Sequence, residues 1–160
     1  MNANFAPRRR HRATDAGIAP LHACIERNVR FEEVDAMNVM WHGRYASWLE
    51  DGREAFGKLY ALSYLDFFRH GVATPIKLFH LDFHRPLHYA QTYAIHVSLL
   101  WNEAAVLDFE YVIKDDKGVV TTTGSTTQLM IALEGGELLL EQPAFYKEFC
   151  ARRRQGQLCR

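Results

Sequence analysis

The chain lacks any apolar run approaching the roughly 20 residues that a membrane-crossing helix requires, so no bilayer span is expected. It also lacks net charge, since 19 Lys and Arg balance 19 Asp and Glu. Without a global field, neither nucleic acid nor an anionic membrane is an expected partner. Cysteine is scarce: Cys24, Cys150 and Cys159 are odd in number, far apart and without a CxxC pair. That argues against a disulfide or zinc framework and for reduced thiols in a cytoplasm. The opening stretch, MNANFAPRRRHRATDAGIAP, has arginines but no apolar segment behind them, so it does not read as a secretory signal.

What remains is an ordinary globular composition on 160 residues, enough for one domain with a real core. Residues 1–20 carry little apolar patterning and read as a disordered leader, residues 21–150 as the domain, and 151–160 as a basic tail after a short terminal helix. Arginines cluster at Arg8, Arg9, Arg10 and Arg12 and again at Arg152, Arg153 and Arg154. Neither cluster is interleaved with aromatics, so they read as a solvated tail and as charges opposing a helix dipole.

The segment from His22, HACIERNVRF, reads as a strand ending in a polar turn at Glu32 and Glu33. From Gly43, the residues Tyr45, Trp48, Leu49, Gly52, Phe56, Leu59 and Tyr60 recur at steps of three and four, the apolar face of a helix. Glu50, Asp51, Arg53, Glu54 and Lys58 fill the opposite side, and Gly52 within the stripe would let the helix approach a neighbour closely. Ser63 is placed to cap a second, shorter helix closed by Gly71. After Pro75 the period becomes two: Phe79, Leu81 and Phe83, then Tyr93 to Trp101, then Ala105 to Ile113, then a long strand from Val119 to Leu133. A strand at Leu138 to Leu140 and a helix begun by Pro143 complete the chain. A helix of about 18 residues is roughly 27 Å long, and five strands about 4.8 Å apart make a sheet of similar width. The expected fold class is therefore α+β, one long helix wrapped by a curled antiparallel sheet of about five strands: a hot-dog architecture.

The most informative segment is RFEEVDAMNVMWHGRYASWLEDGREAF, residues 30–56. A strand ends, Asp35 appears, and a helix begins near Trp41, His42 and Gly43. A helix start offers unpaired N–H groups and partial positive charge to a developing oxyanion. A nearby carboxylate would serve as nucleophile or as base for water. Equally, Asp35 fits an Asx turn in a strand–helix loop, and spacing alone does not choose.

VDAMNVMWHGRYASWLED resembles the signature of the 4-hydroxybenzoyl-CoA thioesterase family of acyl-CoA hydrolases, and the likeness continues through GVATPI over residues 22–150. The resemblance implies that Asp35 is the catalytic aspartate and that the backbone N–H of His42, with Gly43 beside it, holds the thioester carbonyl oxygen. It further implies that Trp41 and Tyr45 border the acyl site and that Thr74 lies near the reacting carbonyl. The implied partners are an acyl thioester of CoA or acyl carrier protein and further copies of the chain, as homodimer or homotetramer. No metal or redox cofactor is implied. Two departures stand out. The family's usual glycine is Asn38 here, the residue after glycine most tolerant of positive φ. Where the family has bases for the nucleotide phosphates this chain reads WNEAA at 101–105, so the phosphate is held elsewhere, by Arg85 or a neighbouring subunit, or the carrier is not CoA.

Other readings compete. His80, Asp82 and His84 share one strand face with His88 close behind, a set that could bind zinc but that any half-exposed strand also shows. A hot-dog dehydratase would pair His42 with Glu50 or Glu54, but its usual proline-rich loop is missing, with no proline between Pro20 and Pro75. A non-catalytic module that binds acyl thioesters would have no need of Asp35.

Overall fold

The computed structural model of the chain describes residues 17–158. The arginines at 8, 9, 10 and 12, most of the expected leader, and Cys159 lie outside the described residues. Strand β1 (Leu21–Asn28) is followed by single 3-10 turns at Phe31–Glu33 and His42–Arg44, then helix α1 (Tyr45–Tyr60) and helix α2 (Tyr64–Arg69). Strands β2 (Val72–Ala73), β3 (Ile76–Phe83), β4 (Thr92–Leu99), β5 (Val106–Lys114), β6 (Val120–Leu129) and β7 (Ile131–Ala132) precede helix α3 (Ala144–Arg154). Five strands form one antiparallel sheet in the order β1-β4-β5-β6-β3, and β2 pairs with β7 in a separate ribbon. No helix among the described residues is long and apolar enough to cross a membrane.

The α1 stripe packs as its periodicity requires: Tyr45, Trp48, Leu49 and Phe56 are buried against the inner sheet face of Ile95, Val97, Leu107, Phe109 and Tyr111. Gly52 sits where helix and sheet come closest, since a Cβ there would lie 2.7 Å from Val97 Cγ2 and 3.1 Å from Ile95 Cγ2. With the 3-10 turn ahead of it, the helical stretch covers 42–60. Ser63 caps α2 through a reciprocal box, its hydroxyl accepting from the Asp66 N–H while the Asp66 carboxylate accepts from the Ser63 N–H.

Four expectations need correction. Arg53, assigned to the solvent face of the helix, is fully buried. The chain reverses at Ala61 in the left-handed region, and the Leu62 carbonyl and the rings of Tyr64 and Phe109 close over its guanidinium. Leu59, placed in the apolar stripe, is 45% exposed instead. The long strand from Val119 to Leu133 leaves the main sheet after Leu129, so Ile131–Ala132 pairs with β2 instead of extending β6. Leu138 to Leu140 is no strand and makes one isolated bridge, Leu138 to Ile131. The alternation of β3 is present, but the strand lies at the sheet edge and Phe79 and Phe83 stay largely exposed.

Candidate active site

The loop after β1 is held by a buried carboxylate that sequence reading treated only as part of a turn. Glu33 Oε1 accepts from the Trp48 indole at 3.1 Å and from Arg27 at 2.6 Å, and Oε2 accepts from the Arg30 N–H at 3.0 Å. Its carbonyl accepts from the Trp41 N–H at 2.8 Å. One residue thus fixes the end of β1, the first turn of α1 and the start of the helical stretch relative to each other. Between Glu33 and Trp41 the chain makes a tight hairpin closed by the bridge Val34–Met40 and joined to a later segment by Val39–His88, with Asn38 at φ 60° at its tip. Asparagine therefore supplies the left-handed turn expected of it.

Asp35 sits in this hairpin, half-buried, with Oδ1 accepting from the N–H groups of Met37 at 2.8 Å and Val39 at 3.2 Å. That is the Asx turn of the plainer reading. Yet it occupies one oxygen only, and Oδ2 takes no hydrogen bond from the described residues. Asp35 also lines a cavity of about 370 Å³ whose other walls include Trp41, His42, Tyr45, Phe83, His84 and Arg85. One oxygen shapes the loop while the other takes no part in the turn.

Trp41 lies with its ring over Gly43, where an added Cβ would come within 2.3 Å of the indole, so only glycine allows the ring that position. The His42 and Trp41 rings are 5.1 Å apart. His42 opens the 3-10 turn that leads into α1, so its N–H and that of Gly43 precede the first intrahelical bonds. Tyr45 is buried, edge-on to Phe83 with centroids 4.8 Å apart, and burial raises its phenol above the ordinary value, keeping it neutral. Asp35, Trp41, His42 and Tyr45 are thus brought together as expected.

Thr74 is not brought there within one chain: it is 5% exposed, its hydroxyl has no hydrogen-bond partner among the described residues, and it does not line the cavity. His84 and Arg85 do line it, some 50 positions after Asp35, because the hairpin bridges to His88 and the Met40 N–H donates to the Leu87 carbonyl. His84 Nε2 lies 2.9 Å from Thr123 Oγ1, and His80 Nε2 pairs with Asp82 Oδ2 at 3.0 Å. Among the described residues no group of three or more His, Cys, Asp or Glu could hold a metal ion. Glu50 accepts from the Tyr64 hydroxyl at 3.3 Å and Glu54 pairs with Lys58 at 2.7 Å, so neither joins His42 as a dehydratase pair.

The WNEAA stretch is occupied internally. Trp101 is buried under the guanidinium groups of Arg153 and Arg154, Asn102 donates to Asp108 at 2.7 Å, and Glu103 pairs with Arg154 at 3.0 Å. Arg153 also donates to the Ala19 carbonyl at 2.8 Å, which ties the last residues of the expected leader to α3.

Against known proteins, residues 29–152 match the sequence model of the thioesterase-like superfamily. YneP of Bacillus subtilis strain 168, named as a candidate acyl-CoA thioesterase, is 26% identical over 120 residues, covering 75% of this chain and 87% of YneP. Among solved structures, the DHNA-CoA thioesterase of Staphylococcus aureus superposes with a TM-score of 0.73 at 23% identity, covering 84% of this chain and 95% of that one. SAV2348 of Staphylococcus aureus, solved in complex with CoA, superposes with a TM-score of 0.74 at 13% identity, covering 86% of this chain and 87% of that one. These two likenesses establish the shared hot-dog fold. The chain belongs to the thioesterase-like superfamily.

Proposed function

From that membership, we propose that the chain is a thioester hydrolase that cleaves an acyl thioester of CoA or of acyl carrier protein into acid and thiol, with Asp35 as the reacting carboxylate. The observation that carries the reading is the free Oδ2 of Asp35 on a cavity that His42 also lines. With the carbonyl oxygen on the N–H groups of His42 and Gly43, the developing oxyanion is stabilised by fixed dipoles. Along one route, Asp35 Oδ2 attacks the carbonyl carbon and the C–S bond breaks. The thiolate leaves and takes a proton, and water cleaves the mixed anhydride to return the carboxylate. Along the other, Asp35 removes a proton from water, the hydroxide adds, and the tetrahedral intermediate expels the thiolate, which takes that proton. Either route consumes one water and needs no metal or redox cofactor. Trp41 and Tyr45 shape the acyl end.

The chain should act as a homodimer or higher oligomer. Strand β3 leaves a sheet edge open, and its exposed Phe83 is also a wall of the cavity, so a second copy along that edge would close the site. Thr74 could reach a reacting carbonyl only across such an interface. The free thiols of Cys24 and Cys150 accord with a cytoplasmic location.

The test is thiol release from a panel of acyl-CoAs and acyl carrier proteins by the full-length chain. Turnover that disappears in Asp35→Asn supports the assignment. Binding of an acyl thioester with no release from any of the panel would sink it and leave a binding module.

A further inference from the structure

The hairpin that carries Asp35 is a short ladder with its base at Glu33. Its two arms pair through the Trp41 N–H on the Glu33 carbonyl at 2.8 Å, the Val34–Met40 bridge, and the Asp35 N–H on the Val39 carbonyl at 2.9 Å. Asp35 stands on one arm, and the other arm runs directly into the 3-10 turn at His42–Arg44. The Trp41 N–H is engaged in the ladder, whereas those of His42 and Gly43, next along the chain, meet no acceptor among the described residues. The separation between the carboxylate and these N–H groups is therefore set by how the base of the ladder meets the start of the helical stretch.

The Glu33 side chain docks that junction to the core. It is 3% exposed and both oxygens are used, Oε1 by the Trp48 indole and Arg27, Oε2 by the Arg30 N–H. Arg27 is fixed in turn, its guanidinium 5.0 Å over the Trp48 ring and paired with Asp51. Neither the 3-10 turn nor α1 has a side-chain cap or an acidic residue in its first turn, so the carboxylate at the start of α1 is Glu33, brought from the loop before it. An ion pair taken out of water contributes little net stability, and apolar side chains of similar volume often do as well. Its bonds are directional, however, and they admit one arrangement of strand, loop and helix.

Given the hydrolase reading, on which this rests, we propose that Glu33 is a positioning residue for hydrolysis. It does not line the cavity and acts through the ladder. It holds Asp35 at the distance from the His42 and Gly43 N–H groups at which the carboxylate, or the water it orients, meets a carbonyl whose oxygen those groups hold. A displacement of about 1 Å in such a geometry costs about a hundredfold in rate. The loss falls on the chemical step and not on binding, because the acyl walls Tyr45 and Phe83 are carried by α1 and β3 and not by the ladder.

The experiment measures kcat and KM separately on the best substrate of the thiol-release panel, beside thermal melts, for full-length wild type, Glu33→Gln, Trp48→Phe and Gly52→Ala. Glutamine keeps an acceptor for Trp48 and Arg27 but turns its amide, a donor, toward the Arg30 N–H. Phenylalanine keeps a buried ring and removes only the indole donor. Gly52→Ala, at the helix–sheet contact away from the ladder, controls for lost stability alone. Glu33→Gln should lower kcat by at least about tenfold with KM within about twofold. Trp48→Phe should lower kcat by about three- to fivefold, the range of one hydrogen bond, again with KM unchanged. Gly52→Ala should keep kcat within about twofold at a lower Tm. If Glu33→Gln does not fold, Trp48→Phe decides by the same split. A kcat near the wild-type value in every ladder variant that folds, a loss in KM instead of kcat, or an equal kcat loss in Gly52→Ala at the same Tm shift would each overturn the positioning role and leave hydrolysis standing. Absence of thiol release by the wild type would remove the hydrolase reading and this proposal with it.

Discussion

Replacing Asp35 separates its two roles, because one oxygen builds the turn and the other is free. In Asp35→Asn the amide oxygen can take the place of Oδ1 and keep the N–H groups of Met37 and Val39. The stability change should then be small, about 0.5 kcal/mol. In Asp35→Ala both donors lose their acceptor. The residue is half-buried and water reaches the loop, so we expect a loss of about 1–2 kcal/mol instead of the full value for two charged hydrogen bonds. Activity should follow a different rule. Both variants lack the carboxylate proposed to react, and on that proposal both should fall by about a thousandfold, roughly 4 kcal/mol of barrier. The check is a pair of urea denaturation curves beside thiol-release rates for the two variants. If Asp35→Asn keeps more than a tenth of the wild-type rate, and activity tracks stability across both, Asp35 is a turn residue and nothing more.

Gly52→Ala sets helix propensity against packing. Alanine gains about 0.8–1 kcal/mol as a helix former, but its methyl would meet the stiff β-branched side chains of Val97 and Ile95, which overpacking makes worth about 1–3 kcal/mol. Net destabilisation of about 1 kcal/mol, a Tm lower by about 3 °C in a thermal melt, is expected; an unchanged or higher Tm contradicts the close approach. Gly43→Ala should drive the half-exposed Trp41 ring off its seat, reducing kcat/KM by about tenfold while shifting Tm by less than about 2 °C. A fall in Tm with no change in kcat/KM would show that the ring is core and not cavity wall. His96 on the outer sheet face is held below the ordinary histidine value by desolvation, then by Lys114 and His22. Its folded state thus resists protonation that the unfolded chain accepts. Stability should fall as pH drops from about 6.5 through the lower folded value. His96→Gln should flatten that fall in urea midpoints taken at pH 7.5 and 5.5, and an unchanged slope would remove His96 as its source.

The local elements were legible in the sequence because each is set by contacts a few residues apart. The stripe from Tyr45 to Phe56, the Ser63 cap, the tolerance of Asn38 for positive φ and the alternation through β4 and β5 are of this kind. So was the distance from Asp35 to the start of the helix, which left a turn and a reacting carboxylate equally open until the family resemblance of residues 34–51 singled Asp35 out. Tertiary structure decided what depends on the partner across space. The strand-favouring composition from Val119 runs on past Leu129 and says nothing of which strand it pairs with, so the departure of Ile131–Ala132 to β2 was invisible. Arg53 looked like a surface residue because its cover, from Leu62, Tyr64 and Phe109, comes from chain that folds back over it. The apolar positions of β3 were read correctly as a pattern, but only the strand order revealed that the strand lies at the sheet edge, where Phe79 and Phe83 stay largely exposed among the described residues. Arg85 meets Asp35 at one cavity because Val39 bridges to His88, a pairing that main-chain hydrogen bonds make and that leaves no mark on the side-chain pattern of either segment.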